Sequence, residues 1–184
     1  MKRCMIIGQP GSGKSWLAHE IGRRSGLPVH HMDMIHWLPG WVERPKAEKI
    51  VMARAVEDSP AWVFEGGLSA TYASRLSRAD TLIVLDVPFL LRVWRVFWRT
   101  LRQWGKTRPD LPDGCPERFD AEFWTYIWTT RNTARQRNLH LAGQARSTTK
   151  VHILRTRPEV RAFLETLDAP HETGQETAHG TAAY

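Results

Sequence analysis

Gly8-Gln9-Pro10-Gly11-Ser12-Gly13-Lys14-Ser15 matches the pattern G-x-x-x-x-G-K-[ST] at every fixed position. The apolar run 4–8 leads into it as a short buried strand and residues 15–24 continue from it as a helix, which is the context the pattern requires. Glycines let the chain wrap a phosphate with backbone N–H groups pointing inward, and the helix N-terminus adds a favourable partial charge. Gly8, Gly11, Ser12, Gly13, Lys14 and Ser15 are therefore predicted to bind the phosphates of ATP or GTP. In such a loop Lys14 reaches the β- and γ-phosphates and the Ser15 hydroxyl holds Mg²⁺.

Working outward, residues 28–33, 61–65, 81–87 and 151–154 read as four further short apolar strands, with a helix at 158–167. Continuous apolar strands separated by helical stretches indicate an α/β fold, a parallel sheet of five strands covered by helices on both faces. Between the fourth and fifth strands the pattern predicts two long helices, 89–104 and 117–139, joined by a Pro/Gly-rich hinge loop at 105–116. The chain has 184 residues, and its last stretch, HETGQETAHGTAAY, is almost without apolar side chains. One domain over 1–168 and a disordered tail over 169–184 are the expected organisation.

Lys and Arg number 26 against 19 Asp and Glu, a net +7 that on its own suggests a polyanionic partner such as nucleic acid. The excess is local. Residues 88–157 carry 14 basic and five acidic side chains, and the remaining twelve basic and fourteen acidic ones leave the rest of the chain at −2. Arg outnumbers Lys 20 to 6, which favours bidentate phosphate contacts over diffuse attraction. The two cysteines, Cys4 and Cys115, supply neither a disulfide framework nor a four-cysteine zinc site. No stretch is long enough to span a membrane or to serve as a signal peptide, so a cytoplasmic location is expected.

A phosphate loop needs an acidic group at a neighbouring strand end to organise Mg²⁺ and the attacking oxygen. Asp33, Glu65 and Asp86 each close an apolar strand pattern. Asp33 and Glu65 are favoured for substrate and metal work, Glu65 through a metal-bound water. Gly66 and Gly67 after Glu65 would let the backbone approach a ligand closely. His30 and His31 alternate across a strand and are not expected to share a metal ion.

Arg92, Arg95, Arg99 and Arg102 recur at i, i+3, i+7 and i+10, within an arc of about 80° on a helix turning about 100° per residue. A guanidinium stripe with no interleaved acid implies an anionic partner, and arginines on a mobile segment can close over phosphates. Arg108 and Arg118 flank the hinge loop, and Arg131 and Arg135 stand four apart beyond it. Most of the nine tryptophans at helical spacing are expected in the core. Trp37 and Trp41, bracketing Pro39-Gly40, could instead wall an acceptor pocket.

With these residues in hand, the chain resembles the adenylate kinase-like P-loop kinases. More closely, it is similar to the small bacterial adenylate kinase-related or DNA topology modulation (FlaR-related) proteins. The likeness runs over about 2–165 and is carried by GQPGSGKS, LPVHHMD, Trp37 to Trp41, WVFEGG, RLSRADTLIVLDVP, the Arg-rich helix, TRPD-x4-CPERFD and HILRTRPEV. It implies a nucleoside monophosphate kinase-like fold with an acceptor-binding excursion at 34–60 and a lid at 103–118. It further implies that Arg95 and Arg99, at set distances beyond Val87-Pro88, contact ATP, and that Arg131 and Arg135 clamp phosphate after the lid. In place of the adenylate-type D-G-x-P-R, Glu65-Gly66-Gly67-Leu68-Ser69 puts Ser69 where a monophosphate-binding Arg would stand. That points away from AMP as acceptor, and Asp33 with the Gly-Gly pair is reminiscent of kinases whose Asp orients a hydroxyl acceptor.

The expected activity is Mg²⁺-dependent phosphoryl transfer from ATP to a small acceptor, either a nucleotide or a hydroxyl compound. The alternative is a nucleotide-dependent regulatory protein that lays its arginine stripe on DNA.

Overall fold

Strand β1 (Arg3–Gly8) can form the axis of the molecule because it is apolar on both faces. Cys4, Met5, Ile6 and Ile7 are all fully buried. Successive side chains point to opposite faces, so Cys4 and Ile6 enter one apolar cluster while Met5 and Ile7 enter another. The computed structural model describes residues 1–168. After β1 come α1 (Lys14–Ser25), β2 (Val29–His31), α2 (Met32–His36), β3 (Trp37–Leu38), β4 (Val42–Glu43) and α3 (Lys46–Asp58). They are followed by β5 (Trp62–Glu65), α4 (Tyr72–Arg78), β6 (Thr81–Leu85) and α5 (Phe89–Arg102). The last elements are α6 (Ala121–Thr129), α7 (Thr133–Gly143), β7 (Lys150–Leu154) and α8 (Arg157–Asp168).

The main sheet has five strands in the order β2-β5-β1-β6-β7, all parallel. Helices α1 and α8 pack on one face through Leu17, Ala18, Ile21, Phe163 and Leu164. Helices α2, α3, α4 and α7 cover the other through Ile35, Ala53, Leu76 and Leu141. Chain order reverses at β1, which lies between β5 and β6, and a crevice opens at its carboxyl end. Loop 9–13 fills the floor of that crevice on its way into α1.

Several elements depart from the sequence expectation. Asp33 does not end β2, which stops at His31; it lies in the first turn of the short helix α2. The expected helix 117–139 is two helices. Asp120 caps α6 by accepting a hydrogen bond from the Phe123 N–H at 3.1 Å, which sets the late start. The Thr129 and Thr130 hydroxyls bond back to the Thr125 and Tyr126 carbonyls, a habit that weakens helices, and the chain breaks before Thr133. Gln9 Nε2 then donates to the carbonyls of Thr130 and Arg131, at 3.3 and 3.0 Å.

The tryptophans correct another expectation. Trp62 is core, but Trp16, Trp94, Trp98, Trp104 and Trp128 are exposed. For Trp94 and Trp98 the reason lies in α5, whose arginine edge turns inward to the glycine-rich loop and so turns its aromatic edge outward. There Trp94, Phe97 and Trp98 pack on one another, with Trp94 and Trp98 rings 5.3 Å apart. The expected tail, 169–184, lies outside the described residues. Among the described residues, no helix is long and apolar enough to cross a membrane.

Candidate active site

The glycine-rich loop is shaped for an anion. Gly11 and Gly13 take positive φ values of 77° and 95°, a region that L side chains avoid. Gly13 caps α1 without a side-chain hydrogen bond, and the first turn of α1 holds no acidic residue. The first N–H groups of a helix have no intrahelical partner, so this end offers donors and a positive dipole to a ligand. Ser12 Oγ is buried beside them without a partner. These features fit nucleotide phosphates, and Lys14 and Ser15 open the helix directly above the loop.

Acidic and basic groups gather over Ser15. Its hydroxyl donates to Glu65 Oε1 at 3.1 Å, and His31 Nδ1 lies 2.8 Å from the same oxygen. Asp110, from the segment between α5 and α6, comes down onto this pair, and His31, Glu65 and Asp110 are all buried. Burial alone would lower the His31 pKa, but the hydrogen bond and charge of Glu65, with Asp110 and Asp33, raise it. Burial would raise Asp110, but the Arg108 charge beside it holds it below its ordinary value. Asp33 goes the other way: desolvation, then Glu65, raise its carboxyl despite Lys14 and Arg108. Ser15, Glu65 and Asp110 therefore form an oxygen-rich donor set, which fits a divalent cation.

Segment 103–118 is anchored on both sides. Arg108 pairs with Asp110 at 2.7 Å and with Glu117 at 2.7 Å, and Glu117 also pairs with Arg99 of α5 at 3.1 Å. Against the β3–β4 hairpin, Gly40 N–H donates to Gly114 O at 3.0 Å and Trp41 Nε1 to Pro116 O at 3.0 Å. The Cys115 thiol donates to Leu38 O at 3.4 Å. Hairpin and segment thus meet over a cleft of about 930 Å³ that reaches down to Lys14 and Ser15.

The four arginines of α5 divide by direction. Arg92 is buried and donates to Val87 O and Pro10 O, both at 3.2 Å, so it fastens α5 to the loop. Arg95 reaches Ser12 O at 3.3 Å, and both Arg95 and Arg99 line the cleft. Arg102 points outward, 5.5 Å from the Trp98 ring. A second cavity of about 780 Å³ lies between α1, α5 and α8, lined by Arg155, Thr156 and Arg157 among others. Gly13, Trp16 and Arg95 line both cavities, which therefore adjoin at the loop.

No protein-family model and no curated protein matches the chain. Solved structures do. Shikimate kinase from Bacteroides thetaiotaomicron superposes with a TM-score of 0.55 at 20% identity, over 90% of this chain and 96% of that one. Shikimate kinase from Acinetobacter baumannii in complex with shikimate gives 0.53 at 12% identity, over 91% of each chain. Deoxyadenosine kinase from M. mycoides with bound dATP gives 0.51 at 12% identity, over 92% of this chain and all of the other, 100%. The fold is that of the P-loop kinases.

Within this P-loop kinase fold the structure brings together Gly8, Gly11, Gly13, Lys14, Ser15, Asp33, Trp41, Gly66, Arg95 and Arg99, all at the cleft. Glu65 joins them through Ser15, while Ser12 faces the second cavity. Gly66 has a packing role as well. A Cβ there would stand 2.6 Å from Met32 Cβ, so the glycine admits α2, and with it Asp33. Arg131 and Arg135 do not reach the cleft. Arg131 donates to Trp128 O and lies 4.7 Å from the Trp128 ring. Arg135 makes a bidentate pair with Asp86, at 2.7 and 2.9 Å, which Arg155 joins at 3.3 Å. The break between α6 and α7 turned these positions away, and Arg118 and Arg137 line the cleft instead. Sequence reading also missed Gln9, which occupies a free position of the motif, and Asp110, which no local pattern distinguishes.

Proposed function

We propose that the protein transfers the γ-phosphoryl group of ATP to a small acceptor with the help of Mg²⁺. The observation that carries this reading is the convergence of Lys14, Ser15, Glu65, Arg95 and Arg99 on one cleft at the carboxyl end of the sheet. Donor phosphates would lie in the loop 8–15, on its backbone N–H groups and Lys14. The nucleoside would extend past Gly13 and Arg95 into the second cavity, against Arg155 to Arg157. Bound Mg²⁺, held at Ser15 and Glu65, would neutralise charge on the donor phosphates. Arg95 and Arg99 stabilise charge on the group in transfer, and segment 103–118 acts as a lid that excludes water.

The excursion 34–60 forms the acceptor side. Trp37 and Trp41 stand edge to face at 5.3 Å and wall the cleft together with His36 and Tyr72. Asp33, in the first turn of α2, faces the same cleft and orients the attacking oxygen of a nucleotide or hydroxyl acceptor. The DNA-binding alternative loses its support, because the stripe it needs is spent inside the protein: Arg92 is buried and Arg99 is paired with Glu117. Arg102 alone of the four points outward.

The test is ATP consumption over a panel of nucleosides, nucleotides and small hydroxyl acids and polyols. A specific acceptor should stimulate turnover, and Lys14→Ala should reduce it by about 10²–10³ or more. If no acceptor stimulates turnover while DNA does, the transferase reading is wrong.

A further inference from the structure

We propose that the lid residue Asp110 is a direct ligand of the divalent cation, completing with Glu65, His31 and Ser15 Oγ a site in which the ion itself ties the lid to the sheet. The imidazole in that set tilts the site toward Mn²⁺ over Mg²⁺.

Geometry comes first. The candidate ligand atoms of His31, Glu65 and Asp110 all lie within 4.8 Å of one another, and all three residues are buried. Around an octahedral ion with bonds of about 2.1 Å, adjacent ligands stand about 3.0 Å apart and opposite ones about 4.2 Å. His31 Nδ1 to Glu65 Oε1 is 2.8 Å and Ser15 Oγ to Glu65 Oε1 is 3.1 Å, both edge lengths of such a shell. The outer bound of 4.8 Å stands about 0.6 Å beyond the opposite-ligand distance, a gap that a small side-chain movement of Asp110 closes.

Charge points the same way. Asp33, Glu65, Asp110 and Glu117 sit among Lys14, Arg75, Arg99 and Arg108. Drawing Lys14 and Arg99 toward a bound polyphosphate would leave these buried carboxylates with fewer partners, a cost that a divalent ion relieves. The three ligands also come from separate elements, β2, β5 and the lid. An ion bound by all of them holds the lid down, which a site built on β5 and the loop alone could not do. Carboxylate and hydroxyl oxygens suit Mg²⁺ and Mn²⁺ alike, whereas an imidazole nitrogen is a better ligand for the transition ion.

Mn²⁺ alone is titrated into the nucleotide-free protein, and free Mn²⁺ is read from its electron paramagnetic resonance signal. One ion per chain should bind, Asp110→Asn should weaken binding by more than about tenfold, and His31→Gln should reduce the excess of Mg²⁺ needed to displace Mn²⁺. Bound Mn²⁺ should also slow tryptic cleavage after the exposed lid residue Lys106, and this protection should vanish in Asp110→Asn. Asp110 also holds Arg108, so Arg108→Gln removes that pair but keeps the carboxylate, and should bind Mn²⁺ no more weakly than the unaltered chain. Unchanged Mn²⁺ affinity in Asp110→Asn, equal losses in both variants, or no uptake without nucleotide would each overturn the assignment. The inference concerns the cleft of the transferase reading but is measured without donor or acceptor. A protein that takes up Mn²⁺ through Asp110 yet turns over no ATP would sink that reading and leave this one standing.

Discussion

Gly11 and Arg92 touch backbone to backbone: a Cβ on Gly11 would stand 2.4 Å from the Arg92 carbonyl oxygen and 2.9 Å from Val96 Cγ2. This contact sets the height at which α5 rides over the phosphate loop, and therefore where Arg95 and Arg99 reach. Gly11→Ala meets a double penalty, since φ is +77° and the new methyl group collides with backbone that Arg92 fixes in place. We expect a loss of about 2 kcal/mol or more in urea unfolding, together with weakened ATP binding. Retention of both would mean that α5 is free to lift off the loop.

The arginines separate into two groups by position. Arg95→Ala and Arg99→Ala should each lower kcat by about 10²–10³ with little change in fold, because both line the cleft. Arg135→Ala should leave turnover close to that of the unaltered chain. Its side chain is half exposed and Asp86 keeps Arg155, so the stability cost should be about 1 kcal/mol or less. Steady-state kinetics on the three variants decides the point; a large kcat loss in Arg135→Ala would show that α7 swings inward during turnover.

What sequence reveals here depends on whether a residue's role is local. The loop 8–15 binds through its own backbone, so its motif is readable in eight consecutive letters, and the strands are readable because parallel strands are apolar on both faces. Arg95 and Arg99 were legible as a stripe, but the stripe does not say which of its members face inward. Asp110 acquires its meaning only where segment 103–118 folds back onto Ser15, about a hundred residues away in sequence. The clamping role that the resemblance implies for Arg131 and Arg135 depends on how α7 is set after the lid, and the break at Thr129 and Thr130, whose hydroxyls bond back to the helix, is not legible in a motif. The exposed tryptophans of α5 follow from the same limit: amphipathicity is visible in the letters, but which edge faces the protein depends on a partner elsewhere in the chain.

Asp33 should trade stability against activity. Its carboxyl is raised by desolvation and by Glu65, so holding it ionised in the folded state is unfavourable. An acid with a raised folded pKa contributes least to stability above that pKa, and stability falls as pH climbs from the unfolded carboxylate range through it. Asp33→Asn removes the buried charge while keeping the shape, so it should raise the melting temperature at pH 7–8 and lose that advantage near pH 4. Transfer to the acceptor should fall at the same time. Thermal melts across pH check the first statement, and a variant less stable than the unaltered chain at pH 8 would contradict it.

His31 carries the opposite pH signature. Burial would lower its pKa, but the Glu65 hydrogen bond with the charges of Glu65, Asp110 and Asp33 outweighs burial and raises it above the ordinary imidazole value. A histidine raised on folding stabilises fully below its unfolded pKa, about 6.5, and loses that contribution as pH rises through the folded value. His31→Gln keeps a donor for Glu65 but not the charge. The stability gap between the two proteins, measured by urea unfolding in metal-free buffer, should therefore be largest near pH 6, at about 2 kcal/mol. It should shrink steadily toward pH 9, where both side chains offer Glu65 a neutral donor. A gap that widens with pH would reverse the sign, and would mean that His31 is neutral in the folded protein at pH 6.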